Sequence, residues 1–243
     1  MKKQLIALAL AGFGAGIAHA GPAAYIYTPT VEYGEHEIEF KAGSHRDHSK
    51  EDETAMMIGY GMGVTPWWFT ELNVEYERER GERFKYEAFE WENKFQLLET
   101  GKYPIDLGVL VEIERPREHA EGWELKLGLL TQKDFGKVQA NFNLLAERHY
   151  DAEEKSETEL GYQWQLKYRL MPTFEYGLQG MGEVGKWNDW AKSDEQEHMA
   201  GPAIFGKLPM GGHQALKYDV GFLFGMTKDT PEHTLRMKLE YEF

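Results

Sequence analysis

The 243-residue chain carries 27 Lys and Arg against 41 Asp and Glu, a net charge of −14, which has the wrong sign for a nucleic-acid surface. It contains no cysteine, so a disulfide framework, a thiolate nucleophile and a Cys-based metal site are excluded. Aromatic residues make up 14% of a chain in which 28% of positions are charged, and that combination asks for an explanation.

Residues 1–20 read as a secretory leader. Lys2 and Lys3 form a basic start, an apolar run covers 5–17, and Ala18-His19-Ala20 is a small-x-small cleavage site. The run is too short for a membrane-spanning helix, which takes about 20 apolar residues. Processing there begins the mature chain at Gly21.

From residue 35 onward a period-2 alternation recurs about every twenty residues, with apolar side chains on one parity and charged or amide side chains on the other. That is the signature of strands whose two faces meet different surroundings. Twelve such segments follow one another. In 36–42, His36, Ile38, Phe40 and Ala42 oppose Glu35, Glu37, Glu39 and Lys41; in 56–64 the opposite face is small, with Gly59, Gly61 and Gly63. In 72–76, Leu72, Val74 and Tyr76 oppose Glu71, Asn73, Glu75 and Glu77. In 89–97, Phe89, Trp91, Phe95 and Leu97 oppose Glu90, Glu92, Lys94 and Gln96, while Phe84 and Tyr86 have the reverse parity, which predicts a bulge near Ala88.

Segments 105–113, 123–129 and 138–144 set Asp106, Glu112, Glu124, Lys126, Gln139, Asn141 and Asn143 against aliphatic and aromatic residues. In 160–170, Leu160, Tyr162, Trp164, Leu166, Tyr168 and Leu170 alternate with Glu159, Gln163, Gln165, Lys167 and Arg169. Segments 174–184 and 198–208 are richer in glycine, 216–226 is strongly apolar on one parity, and 235–243 closes with Leu235, Met237, Leu239, Tyr241 and Phe243 against Arg236, Lys238, Glu240 and Glu242.

Connections alternate in length. Tight turns stand at Thr65-Pro66, 133–136, 171–173 and 209–212, and longer polar stretches at 44–53, 115–122, 149–157 and 185–197. Short turns on one side and long loops on the other are what a strand-by-strand meander across a bilayer produces. In lipid every backbone group needs a partner, so the sheet must close on itself. Trp67, Trp68, Phe69, Tyr103, Phe135 and Phe174 fall beside the short turns, where an interfacial aromatic girdle is expected.

These features resemble the Gram-negative outer-membrane β-barrel proteins over residues 31–243. The resemblance implies an all-β, closed, antiparallel up-and-down transmembrane barrel of about 12 strands, with short periplasmic turns and longer extracellular loops. Such proteins typically end in a strand with a terminal Phe that the barrel-assembly machinery recognises, and Met237, Leu239, Tyr241 and Phe243 match that pattern. Residues 21–30, with Tyr25 and Tyr27, are assigned to a periplasmic N-terminal segment, with folding up into the bore as the alternative.

The expected lumen is acidic with basic islands: Glu39, Glu71, Glu75, Glu90, Glu92, Glu112, Glu124 and Glu159 against Lys94, Lys126, Lys167, Arg169, Arg236 and Lys238. A carboxylate ring of this kind favours cations in a narrow pore, which points to a channel for small solutes or cations. The alternative is a closed structural or surface-interaction barrel in which the charges pair across strands. A lipid or peptide hydrolase is the remaining class; the four serines all fall in loops, and the nearness of His149 to Ser156 in sequence makes no triad. No catalytic residue, cofactor or committed metal site follows from the sequence, although His45, His48, His119, His149, His198 and His233 all fall at loop ends. Expected partners are outer-membrane lipid and lipopolysaccharide, the assembly machinery, and small solutes or cations.

Overall fold

A computed structural model describes residues 21–46 and 52–243. The proposed leader and the loop residues His48 and Glu51 lie outside the described residues. The strands are β1 His36–Arg46, β2 Glu53–Thr65, β3 Trp68–Glu79, β4 Lys85–Gln96, β5 Asp106–Pro116, β6 Trp123–Phe135 and β7 Val138–Tyr150, then β8 Glu159–Met171, β9 Phe174–Lys186, a two-residue arm β10 Asp189–Trp190, β11 Glu197–Gly211, β12 Gln214–Gly225 and β13 His233–Glu242. Setting aside β10, which only extends the β9 hairpin, all twelve expected segments are strands, each antiparallel to its neighbours.

The sheet closes between the first and last strands. Glu37 faces Glu242, Arg46 faces His233, and below them the backbones of His36 and Phe243 exchange hydrogen bonds of 3.3 and 2.9 Å. Closure leaves no unpaired edge, the condition for a sheet to stand in hydrocarbon. Four hairpins turn within two residues: β2–β3, β6–β7, β8–β9 and β11–β12. The β4–β5 connection, residues 97–105, is longer but lies on that same turn rim. The connections at the opposite, loop rim include residues 117–122, 151–158, 187–196 and 226–232.

Parity sets the two faces as period 2 requires. Ile38, Ile58, Leu72, Trp91, Leu127, Leu144, Leu166, Ile204 and Leu235 point outward and are exposed, whereas Glu39, Glu71, Glu92, Glu112, Asn143 and Gln179 point inward and are buried. An apolar exterior around a charged interior is inverted relative to a water-soluble domain, and lipid is the medium that matches it. Two outward polar groups are roofed by indoles: Trp91 Nε1 donates to Thr70 at 2.9 Å and Trp68 Nε1 to Asn93 at 3.1 Å.

The expected bulge is present in β4. Glu75 pairs with Ala88 and the next residue, Tyr76, pairs with Tyr86, so Glu87 is the unmatched residue that restores the parity of Tyr86 to that of Tyr76. The girdle expectation needs one correction. Trp67, Tyr103, Phe135 and Phe174 are exposed at the turn rim, but Phe69 is buried in the lumen, where its ring receives the Lys94 ammonium at 4.6 Å. Phe69 shares the parity of Glu71, and parity outweighs nearness to a turn.

The larger correction concerns residues 21–30, assigned above to the periplasm. They lie inside the barrel. Pro22 and Pro29 are fully buried, and Tyr25, Ile26 and Tyr27 are nearly so. Eleven successive residues, 21–31, carry no charge; inside the bore they exchange water for the interior of the sheet. The chain enters near the loop rim, where Gly21 lies beside Glu77, and leaves near the turn rim, where Gly34 N–H donates to Gly63 C=O at 2.9 Å. Gly34 takes φ 79°, the left-handed conformation that glycine adopts without penalty, as the chain reverses into β1.

Candidate functional site: the plugged bore

The wall is notched to receive this segment. A Cβ at Gly43 in β1 would lie 1.7 Å from the Pro22 carbonyl oxygen, and one at Gly63 in β2 would lie 1.9 Å from that of Glu32. Gly108 in β5 similarly approaches Pro29, with 3.0 Å between its Cβ position and the Pro29 Cα. All three glycines are on the lumen parity of their strands, so here glycine serves close backbone approach within a strand.

Barrel side chains replace a sheet partner for the segment's backbone. Arg236 donates to the Ala24 carbonyl at 2.5 Å, Gln163 to that of Tyr25 at 2.8 Å and Asn143 to that of Tyr27 at 2.9 Å. In the other sense, Tyr27 N–H donates to Gln163 Oε1 at 3.3 Å and Val31 N–H to Gln96 Oε1 at 2.7 Å. A buried segment with no ladder needs this service, because an unmatched peptide group in a dry interior is costly.

The segment's side chains divide as those of a strand do. Ala24 and Ile26 pack on Met181, Met199 and Leu223 of β9, β11 and β12. Tyr25 and Tyr27 turn toward Leu110 and Leu130, with Leu145 beside them. Their hydroxyls reach carboxylates: Tyr25 donates to Glu92, and Tyr27 to Glu112 at 2.8 Å. The Tyr25 ring also receives two ammonium groups, Lys41 at 3.8 Å and Lys238 at 4.5 Å from its centre.

Those lysines belong to a charge network around the middle of the bore. Lys41 pairs with Glu39 at 2.6 Å and Glu71 at 3.5 Å, while Lys238 pairs with Glu39 and, at 3.3 Å, with Glu240. Lys126 collects Glu112 at 2.7 Å, Glu147 at 3.3 Å and Glu124 at 3.4 Å. Arg236 holds Asp219 at 3.2 Å, and Asn73 donates to Glu90 at 2.7 Å. Glu39, Lys41 and Glu112 are each 1% exposed, and Asn143 and Gln179 are at 0%; since these residues come from four strands around the wall, β1, β5, β7 and β9, water is squeezed out of the midsection.

The expected lining residues therefore separate. Glu39, Glu71, Glu90, Glu92, Glu112, Arg236 and Lys238 surround the segment, with Glu75 facing inward above them. Glu124 and Glu159 stand toward the loop rim; Glu124 is 3.4 Å from His149. Lys167 pairs with Glu175 at 3.3 Å, and Arg169 sits exposed at the turn rim on Asp134 at 2.8 Å, outside the midsection. Sequence reasoning passed over Lys41 as a structural centre, along with Lys217, which pairs with Glu240 at 2.6 Å and also with Glu242.

Two carboxylate groups, the buried Glu37–Glu39–Glu71 and the mostly buried Glu90–Glu112–Glu114, bring oxygens within 4.8 Å of one another. Lys41 and Lys126 lodge their ammonium groups among them, in the place that an ion's charge would take. Of the loop histidines among the described residues, His198 Nδ1 meets the Tyr162 hydroxyl at 2.9 Å, and His233 stacks on Phe222. Ser156 Oγ accepts from the backbone N–H of His149 at 3.2 Å, not from its ring, which faces Glu124 and the Glu121 carbonyl. That is not the nucleophile–base contact that Ser–His catalysis requires.

No family model matches the chain, and no curated protein matches it in sequence. Solved structures do match in fold. An outer membrane channel from Pseudomonas putida F1 superposes with a TM-score of 0.60 at 11% identity, over 88% of this chain and 96% of that one. The NanC porin gives 0.53 at 10% identity over 85% and 98% of the two chains, and the translocator domain of the autotransporter NalP from Neisseria meningitidis gives 0.54 at 12% over 87% and 89%. The fold is that of bacterial outer-membrane β-barrels, which makes the turn rim periplasmic and the loop rim extracellular.

Proposed function

We propose that the chain is a porin-like outer-membrane channel held shut by its own N-terminal segment, and that it prefers small cations once that segment leaves. The observation that carries this reading is the way the segment is held. Its backbone is tied to the wall by side chains, with only Gly34 and Glu35 joining the β2 ladder by backbone hydrogen bonds, at the very end where the segment turns into β1. A segment on side-chain tethers can be withdrawn without breaking the sheet, whereas a ladder strand cannot. With the segment gone, Glu37, Glu39, Glu71, Glu90, Glu92 and Glu112 face a bore that also holds Lys41, Lys126 and Lys238. The surplus of carboxylate supports cation preference.

The dry midsection favours a second reading, a permanently closed structural barrel. Planar-bilayer recording on refolded protein separates the two. The intact mature chain is expected to be silent or to open rarely, and a chain lacking residues 21–33 to carry steady current with cations more permeant than anions. A truncated barrel that shows heat-modifiable migration and β spectrum yet stays silent would sink the channel reading, and anion preference would sink the selectivity. If truncation prevents folding, Tyr25→Ala with Tyr27→Ala in the full chain serves the same comparison.

A further inference from the structure

The wall reads the segment's backbone more than its sequence. Five hydrogen bonds from Arg236, Gln163, Asn143 and Gln96 reach peptide groups between Ala24 and Val31, and two more come from the tyrosine hydroxyls. Gln163 serves one amide face as a neighbouring strand would: its Nε2 donates to the Tyr25 carbonyl and its Oε1 accepts from the Tyr27 N–H. Asn143 donates to the same Oε1 at 3.3 Å and so fixes which way that amide points. Gln163, Asn143 and Arg236 are 5%, 0% and 4% exposed, so each needs its partner replaced when the segment leaves. Beside them stand two apolar seats, Leu110 with Leu130 for the tyrosine rings and Met181, Met199 and Leu223 for the residue between. Two of those three are methionines, side chains that repack around different shapes.

We propose that the vacated bore is a binding site for short, extended, uncharged peptides that carry hydroxyphenyl side chains two positions apart, and that residues 24–31 occupy it as an internal stand-in for such a ligand. The site rests on the reading that the segment can leave, and not on whether the open barrel conducts. Water satisfies the amides of an emptied bore but does not fill the apolar seats. A hydrated cation answers the carboxylates and leaves amides and seats unmatched. A second extended peptide answers all three. Neutrality follows from what surrounds the tyrosines. Glu92 and Glu112 accept from their hydroxyls, so an acidic side chain in either place meets like charge, while a basic one meets the Lys41 and Lys238 ammonium groups at the Tyr25 seat.

The test is isothermal calorimetry in detergent micelles with an end-capped synthetic peptide of residues 24–31, on the native mature chain and on full-length Ile26→Asp. That substitution sets a charge against Met181, Met199 and Leu223, which expels the tethered segment and leaves every wall residue in place. Chymotryptic cleavage after Tyr25 and Tyr27 verifies the vacancy. The native chain is expected to bind no peptide and Ile26→Asp to bind it saturably. An ester in place of the Tyr27 N–H should weaken binding roughly fivefold to tenfold, and phenylalanine at both tyrosines on the order of a hundredfold. An unrelated uncharged octapeptide that keeps only the two tyrosines at that spacing should bind within roughly tenfold of the native sequence. A vacated bore that binds no peptide would overturn the proposal; binding of the native sequence alone would make the segment a dedicated plug and overturn the ligand class. If Ile26→Asp does not fold, Tyr25→Ala with Tyr27→Ala empties the Leu110 and Leu130 seat in the full chain. Calorimetry is blind to conduction, so a silent barrel that binds the peptide would sink the channel and keep this site, and a conducting barrel that ignores the peptide would do the reverse.

Discussion

Gly43→Ala isolates the seat of the plug from the strength of the wall. The added methyl carbon would stand 1.7 Å from the Pro22 oxygen, 2.3 Å from its carbonyl carbon and 3.0 Å from the Ala23 nitrogen, all backbone atoms without a rotamer to change. Ordinary contact requires the segment to retreat by roughly 1.5–2 Å. That distance takes the Arg236–Ala24 bond of 2.5 Å and the Gln163–Tyr25 bond of 2.8 Å out of hydrogen-bond range, along with the Tyr25–Glu92 contact. Two of these involve a charged group and one is neutral, so their loss is on the order of 4 kcal/mol, or about a thousandfold in the ratio of seated to unseated segment. The strand itself gains about 0.5–1 kcal/mol when alanine replaces glycine. The expected result is a barrel as heat-stable as before, with frequent openings in planar bilayers and rapid chymotryptic cleavage after Tyr25 and Tyr27. A variant that keeps its segment protected and its current absent would refute the notch argument.

Four further outcomes follow from the geometry. Tyr25→Phe deletes the hydroxyl donated to the buried Glu92 carboxylate while keeping the ring between Lys41 and Lys238; the loss of about 1.5–3 kcal/mol should appear as brief openings, fewer than in Tyr25→Ala. Glu112→Gln removes the carboxylate shared by Lys126 and Tyr27, and breaking a buried pair by one partner should lower unfolding stability by about 3–5 kcal/mol, measured by urea titration in detergent micelles. Glu35, just before β1 at the periplasmic rim, has its carboxyl pushed up to about 8 by burial and by the hydrogen bond it shares with Glu242, against the pull of Lys217. Since its unfolded value is near 4.5, the folded form binds the extra proton, so stability should fall as pH rises from about 4.5 to about 8; Glu35→Gln should flatten that slope, and an unchanged slope would assign it to other groups. Deleting Phe243 removes the two seam bonds to His36 and the stacking on His36 and Tyr241, a loss of about 1–3 kcal/mol; if the residue also marks the chain for assembly, outer-membrane yield should drop far more than the refolded protein's stability does.

The barrel was legible because each strand states its two faces locally. Alternation in 160–170 needs no knowledge of the neighbouring chain to say that Tyr162 and Gln163 look opposite ways, and the parity break around Ala88 likewise located the bulge at Glu87 within one residue. The plug was not legible in that way. Residues 21–31 lack alternation because both sides of the segment meet protein, and every partner that holds it is distant in sequence, up to the 212 residues between Ala24 and Arg236. Signals were present nonetheless. The eleven uncharged residues, with two tyrosines and an isoleucine, are poorly suited to bulk water. Gly43, Gly63 and Gly108 sit on lumen parity, where a porin wall has no need of missing side chains.

The lining chemistry carries the same message when sorted by strand. Carboxylates dominate the inward face of β3 to β5, where Glu71, Glu90, Glu92 and Glu112 meet tyrosine hydroxyls and ammonium groups. Neutral amides dominate β7 to β9, where Asn141, Asn143, Gln163, Gln165 and Gln179 are buried. A pore selected only for the sign of its field has no reason to divide in this way, because amides add little to the potential along the axis. A bore that must solvate a peptide backbone on one side and two phenols on the other has such a reason, since an amide offers both a donor and an acceptor where a carboxylate offers only acceptors. The asymmetry of the wall is thus the imprint of its occupant, and it ties the N-terminal segment to the barrel as a designed part of the lumen, more firmly than proximity alone would.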